Sequence, residues 1–278
     1  MTIDFCHIVP TPHLKDFVRG RTTHLALAHL IETDEAYTEF YRQENDSTII
    51  LDNSAFEMYK QNRPMYPSDK LVEMGQRIDA DYIVMPDYPN QESQVTIDAA
   101  IEIAPVLKEN GFGTFFVPQS VIGDKDDYID SVQWAVYSEH VDYIGISILG
   151  VPNAYGVEKN NNLQRFLSRW KIMDELWEHG LLHAAYDNGK LIHFLGMVDG
   201  PNEIQLMKDY TSFINTWDSS AAAWAGLNDI AFDDSPSGLI NGKFEEEVDF
   251  DFETDDNDLI EKALDNIEYI DELCEATY

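Results

Sequence analysis

Thr48-Ile49-Ile50-Leu51-Asp52 is a short run of apolar, mostly β-branched residues that stops on an aspartate. Three other runs share its form: Tyr82-Ile83-Val84-Met85-Pro86-Asp87, Thr114-Phe115-Phe116-Val117-Pro118-Gln119 and Phe213-Ile214-Asn215-Thr216-Trp217-Asp218. Segments of this length and composition read as parallel strands buried on both faces. Parallel strands all finish at one end of their sheet, so Asp52, Asp87, Gln119 and Asp218 are expected to converge. In a (β/α)8 barrel that end carries the catalytic residues.

Working outward, the remaining strand candidates are Ile3–Val9, Thr23–Leu30, Val141–Ile148 and Leu191–Met197, which makes eight with Ser212–Asp218. Amphipathic stretches lie between most of them, at Thr33–Tyr41, Ser68–Ile78, Val95–Lys108, Asp126–Ser138, Asn162–His179 and Asn202–Tyr210. Ser68 is placed to cap its helix, and Asn110-Gly111 to close the one before it. Strands alternating with helices predict a parallel sheet. Eight such strands favour a closed TIM-type barrel over residues 1–243. No glycine fingerprint of a dinucleotide-binding sheet follows an early strand. Asp233-Asp234-Ser235-Pro236-Ser237-Gly238 reads as a turn. Residues 244–278 form an acidic extension: a linker with alternating Val248, Phe250 and Phe252, then a docking helix with Leu259, Ile260, Ala263, Leu264, Ile267, Ile270 and Leu273 at helical spacing.

The chain has 278 residues, 44% of them hydrophobic, and a net charge of −34. Residues 244–278 hold fifteen acidic residues against one lysine, a net of −14, which leaves −20 for the rest. Such a balance argues against non-specific nucleic-acid affinity, which needs Lys and Arg to displace counterions. Two cysteines, Cys6 and Cys274, make a disulfide framework unexpected, and no Cys/His cluster has zinc spacing. No signal peptide or membrane span is expected, so the predicted compartment is the cytoplasm.

Each strand-end residue also has a plain structural explanation. Asp52, followed by Asn53-Ser54-Ala55-Phe56, suits close backbone approach to a ligand, or an Asx turn. Asp87 lies between Pro86 and Pro89 in what could be a simple turn. Gln119 can donate and accept together, as reading a nucleobase edge requires. Asp218 suits a nucleophile, or the N-cap of a helix from Ser219. His29, His183 and His193 read as satisfied core residues. Arg165, Arg169 and Lys171 read as a solvated helix face, with phosphate contact as the alternative.

Taken in order, these motifs resemble the tRNA-guanine transglycosylase superfamily, particularly its shorter phage and bacterial relatives that insert 7-deazaguanines into DNA. The matching segments are Leu51-Asp52-Asn53-Ser54-Ala55-Phe56, Met85-Pro86-Asp87, Val117-Pro118-Gln119, Phe194-Leu195-Gly196-Met197-Val198 with Asp199-Gly200-Pro201-Asn202-Glu203, and Trp217-Asp218-Ser219-Ser220. The resemblance spans roughly Ile3 to Ala225. The chain departs from the family at the sixth strand, where Gly145-Ile146-Ser147 replaces a glycine pair. It also lacks the C-terminal zinc site, which favours DNA over tRNA.

The resemblance implies base exchange with no cofactor. Asp218 would be the nucleophile and Asp52 the general acid and base. Asp87 and Gln119 would read the base, Met197 and Tyr88 would cover its face, and Asn53, Phe56, Ser147 and Gly196 would complete the pocket. The implied partners are DNA or tRNA and a 7-deazaguanine, and a homodimer stays open. A basic protein partner could cover the acidic tail, or the tail could mimic nucleic acid. Two other readings stay open: a barrel nucleosidase acting on free nucleosides, and a non-catalytic acidic decoy.

Overall fold

The computed structural model describes residues 2–197, 200–232 and 247–275. The turn expected at residues 233–238, and Val198 and Asp199 of the seventh-strand motif, lie outside them. Eight parallel strands form the barrel: β1 (Asp4–His7), β2 (Thr23–Leu27), β3 (Thr48–Asp52), β4 (Tyr82–Val84), β5 (Gly113–Phe116), β6 (Tyr143–Ser147), β7 (Leu191–Leu195) and β8 (Thr216–Ser219). The order around the sheet is β1-β8-β7-β6-β5-β4-β3-β2. The two end strands meet at a seam where Thr23 Oγ1 donates to Asp4 Oδ2 at 3.2 Å, so the barrel is nearly closed. All eight expected strands are present.

The helices follow in the intervals: α1 (Leu14–Phe17), α2 (Ala28–Thr33), α3 (Glu35–Arg42), α4 (Ala55–Lys60), α5 (Ser68–Arg77), α6 (Ser93–Glu109), α7 (Lys125–Tyr137), α8 (Gly150–Ala154), α9 (Asn162–Glu178), α10 (Leu181–Asp187), α11 (Pro201–Leu206), α12 (Ala221–Leu227) and α13 (Asn257–Glu275). The expected second strand overruns. Its last residues, Ala28 to Leu30, turn into α2, where Ala28 and Leu30 stay buried, because a short apolar run cannot by itself distinguish strand from buried helix. Asp34 rather than Thr33 caps α3, accepting from the Ala36 and Tyr37 amides. Ser68 is not a cap, because Pro67 holds that position and Ser68 makes no capping bond. Gly111, at φ +88°, closes α6 as expected.

The N-terminal end of the barrel is stitched by side chains that precede one strand and clip its neighbour. Asp81 accepts from the Ile49 amide at 2.8 Å, Asp142 from the Thr114 amide at 2.9 Å, and Asn215 Oδ1 from the Ile192 amide at 2.8 Å. Each bond satisfies a strand-end donor that the sheet leaves over.

Helix α13 packs into the outer ring beside α12. Ala263, Ile267, Ile270 and Cys274 are buried, whereas Leu264 is 40% exposed. Asn266 takes its place on the inner face, donating to Ala222 O and Ile230 O. A Cβ on Gly226 would lie 2.3 Å from Ala263 Cα, so only glycine permits this helix spacing. Burial of Ile267 and Ile270 contributes on the order of 3–6 kcal/mol. Upstream, Val248, Phe250 and Phe252 pack on the barrel. Phe250 O accepts from the Thr11 amide, and its ring meets His29 edge-on at 5.9 Å. Deleting residues 244–278 therefore removes part of the core, and the loss of fold precedes any readout of nucleic-acid mimicry.

Candidate active site

At the end of β3 the chain must turn sharply into α4. Asp52 Oδ2 accepts from the Ser54 amide at 2.8 Å and Asn53 Oδ1 from the Ala55 amide at 2.8 Å. These bonds hold Ser54 in the left-handed region at φ +54°, an uncommon place for a residue other than glycine. Asp52 thus forms the Asx turn and also faces the barrel mouth. Ser54 Oγ accepts from the His29 amide and lies 2.9 Å from His29 Nδ1. His29 is half-buried and bonded.

Asp87, just past β4, is 4% exposed and lies between two side-chain amides. Asn53 Nδ2 donates to Oδ1 at 2.8 Å, and Gln119 Nε2 to Oδ2 at 2.6 Å. Asn53 also donates to Met85 O at 2.7 Å, which ties the β3 and β4 loops together. Burial pushes the Asp87 carboxyl up to about 6, against the pull of the two amide donors. Asp52 is held well above the ordinary carboxylate range by burial first, then by the charge of Glu57. Burial also raises Glu57.

On the opposite wall, Asp218 Oδ1 accepts from the Gly196 amide at 3.1 Å and lies 2.9 Å from His193 Nε2. Asp218 caps no helix: α12 begins after Ser220, and Ser219 Oγ accepts from the Ala221 amide. Both contacts fall on Oδ1, so Oδ2 has no protein partner among the described residues. His193 is fully buried, and its Nδ1 lies 2.6 Å from Thr216 Oγ1. Gly196 sits at φ +69°, and a Cβ there would come within 2.7 Å of Ile148. Its carbonyl accepts from Arg169 Nη1 and Trp217 Nε1, both at 2.8 Å. Gly196 is thus held through its carbonyl and presents its N–H to Asp218.

These walls enclose a cavity of about 360 Å³ at the C-terminal end of the barrel. Of the residues expected at the site, Asp52, Asn53, Phe56, Asp87, Gln119, Ser147, Gly196 and Asp218 line it. Met197 and Tyr88 do not. Met197 packs against the core, and Tyr88 is half-buried with its amide donating to Thr96 Oγ1. Ser147 Oγ accepts from the Leu149 and Gly150 amides, which opens α8.

Some residues turn out differently from expectation. Arg169 is fully buried, paired with Glu203 at 3.1 Å and lying over the rings of Phe194 and Trp217. It is neither on a solvated face nor available to phosphate. Lys171 is exposed. His183 is exposed on α10 rather than in the core, with its ring against Trp177 and Phe213. Glu57 and Leu149 also line the cavity, and Arg165 is its lining cation. Glu57 carries no sequence signal beyond standing five residues past Asp52. His193 carries no sequence signal beyond lying two strand positions before Leu195, on the same face.

No family model matches this chain, and no curated protein matches it. Among the described residues no group of His, Cys, Asp or Glu could hold a metal ion, and no helix is long and apolar enough to cross a membrane. The fold and cavity define an α/β barrel with three aspartates at its C-terminal mouth.

Proposed function

We propose that the protein is a base-exchange transglycosylase that replaces guanine in a nucleic acid, DNA in preference to tRNA, with a 7-deazaguanine. The observation that carries this reading is the division of the cavity into two walls. On one, Asp87 is held between Asn53 and Gln119. On the other, Asp218 is oriented by Gly196 and His193 with one oxygen unengaged.

In this reading Asp218 Oδ2 attacks C1′ of the target nucleoside. The C1′–N9 bond breaks, and the departing guanine takes a proton from Asp52. Burial, and then the charge of Glu57, favours the protonated form of Asp52 and so suits it to supply that proton. The incoming base then gives its N9 proton to Asp52 and attacks C1′, and Asp218 leaves. Two displacements return the β-configuration. Above about pH 6 Asp87 is ionised and accepts from N1 and the exocyclic amine, while Gln119 donates its other N–H to O6. The target base must first leave its stack, at a cost of a few kcal/mol.

The net charge of −34 supports a second reading, in which the same carboxylates hydrolyse free nucleosides. The test is incorporation of radiolabelled guanine into duplex DNA, single-stranded DNA and tRNA, with wild type and Asp218→Ala. Incorporation into DNA that the variant loses is the expected result. Absence from every polymer, with free base released from nucleosides, replaces this reading with the nucleosidase.

A further inference from the structure

The chain contains seven arginines. Six of them reach a carboxylate: Arg19 with Glu44, Arg21 with Asp271, Arg42 with Glu39, Arg63 with Glu32, Arg77 with Glu35 and Arg169 with Glu203. Arg165 reaches none among the described residues, although 52 acidic residues are available in the sequence. It is also the arginine that lines the cavity. It sits in the first turn of α9, half-buried, and its side chain has no hydrogen-bond acceptor among the described residues. A guanidinium taken partly out of water with no carboxylate in contact carries a desolvation cost. Its planar fork of donors matches carboxylate and phosphate geometry. The field of nearby Glu203 offsets part of that cost, but Arg169 is the residue in contact with that carboxylate, at 3.1 Å, and burial outweighs its pull on Arg165.

We infer that Arg165 is the anion anchor of this cavity and takes one phosphate of the nucleotide whose base lies between Asp87 and Asp218. This rests on the base-exchange reading in taking the ligand to be a nucleotide. One anchored phosphate, rather than a basic track, is how so acidic a chain would engage a nucleic acid. The same phosphate chemistry belongs to a mononucleotide and to a phosphodiester within a strand. In both, the anchor adds a charge-assisted contact that a nucleoside lacks.

The test is equilibrium binding of deoxyguanosine, its 3′- and 5′-monophosphates and the trinucleotide d(TpGpT). The three other nucleosides and their monophosphates complete the panel. Wild type is compared with Arg165→Gln and Arg165→Lys, with circular dichroism to check that both fold. Wild type is expected to favour a phosphate-bearing ligand over its nucleoside about tenfold or more. Arg165→Gln should lose that preference while keeping nucleoside affinity, and Arg165→Lys should retain part of it. The trinucleotide should show a salt slope near that of one phosphate, about −0.7, rather than two. A preference for the mononucleotide over the trinucleotide identifies the anchor with a free phosphate, and the reverse with a strand.

Equal affinity for nucleoside and nucleotide in wild type overturns the anchor. So does a phosphate preference that survives Arg165→Gln, or a variant that weakens both ligands equally, which would mean that Arg165 only offsets the field of the carboxylates. Binding by no member of the panel overturns it as well. A phosphate preference that needs Arg165 but ignores the base keeps the anchor and removes the guanine reading.

Discussion

The two ends of this barrel hold the same residue type in opposite conditions. At the N-terminal end, Asp142 accepts from the amide and hydroxyl of Thr114 and pairs with Lys108. Those donors outweigh burial and hold its carboxyl below the ordinary range. At the C-terminal end, burial outweighs the donors of Asp52 and Asp87 and raises both. Strand ends supply donors and acceptors at both poles. At one pole the aspartates are matched to protein donors and hold the sheet together. At the other they are left partly unmatched around a cavity, where a ligand can complete them. Environment rather than residue type divides stability from chemistry.

The sharpest way to break this contrast is Asp218→Asn. Exchange should fall on the order of 10⁴-fold, as when a nucleophile is removed, while the melting temperature stays within a few degrees. A mutant that keeps activity would deprive the cavity of its reaction wall.

Asp87→Asn tests the second pole through stability. The folded pKa of about 6 lies above the unfolded value of 3.8, so the native state binds more protons between them. The contribution of Asp87 to wild-type stability should therefore fall as pH rises from 4 to above 6, by up to about 3 kcal/mol. Asp87→Asn should flatten that slope and be the more stable protein at pH 7, less whatever Gln119 loses in turning its amide. Denaturant melts at pH 4, 5, 6 and 7 measure it, and a mutant curve parallel to wild type would refute the assignment.

Asp142→Ala should act in the opposite sense. Its carboxyl is depressed, so its stabilisation is present above the unfolded pKa and lost as pH falls through the lower folded value. Removing it leaves the buried Thr114 amide unpaired and should cost about 2 kcal/mol at pH 7 with kcat unchanged. Urea titration and an exchange assay on one preparation separate the two effects.

The smallest effect should come from His193→Gln. His193 lies below Asp218 and does not line the cavity, so it positions the carboxylate without touching the ligand. An expected drop of about tenfold in kcat with KM unchanged fits that role. A rise in KM alone would place His193 at the ligand instead.

All eight strands were legible because a strand buried on both faces leaves an unbroken apolar run, and the following polar residue marks its end. Asp52, Asp87, Gln119 and Asp218 could be nominated on that pattern alone. The pattern does not extend to residues whose role depends on a distant partner. Arg169 reads as a polar helix position until Glu203, Phe194 and Trp217 surround it. Arg165, four residues earlier, reads the same and ends in the cavity. Leu264 fits the apolar stripe of α13 better than Asn266 does, yet Asn266 is inside because Ala222 O and Ile230 O need its amide.

The last helix also governs when the fold can be completed. Asp271 of α13 bonds His7 and Arg21, so the first two strands are secured by residues about 250 positions later. Contacts so distant in sequence form slowly, because a long loop must close before they repay its entropy. During synthesis the β1–β2 seam waits, without its outer helix, for about 250 further residues to emerge. A pulse-labelled hydrogen-exchange experiment should find β1 and α13 gaining protection together and last.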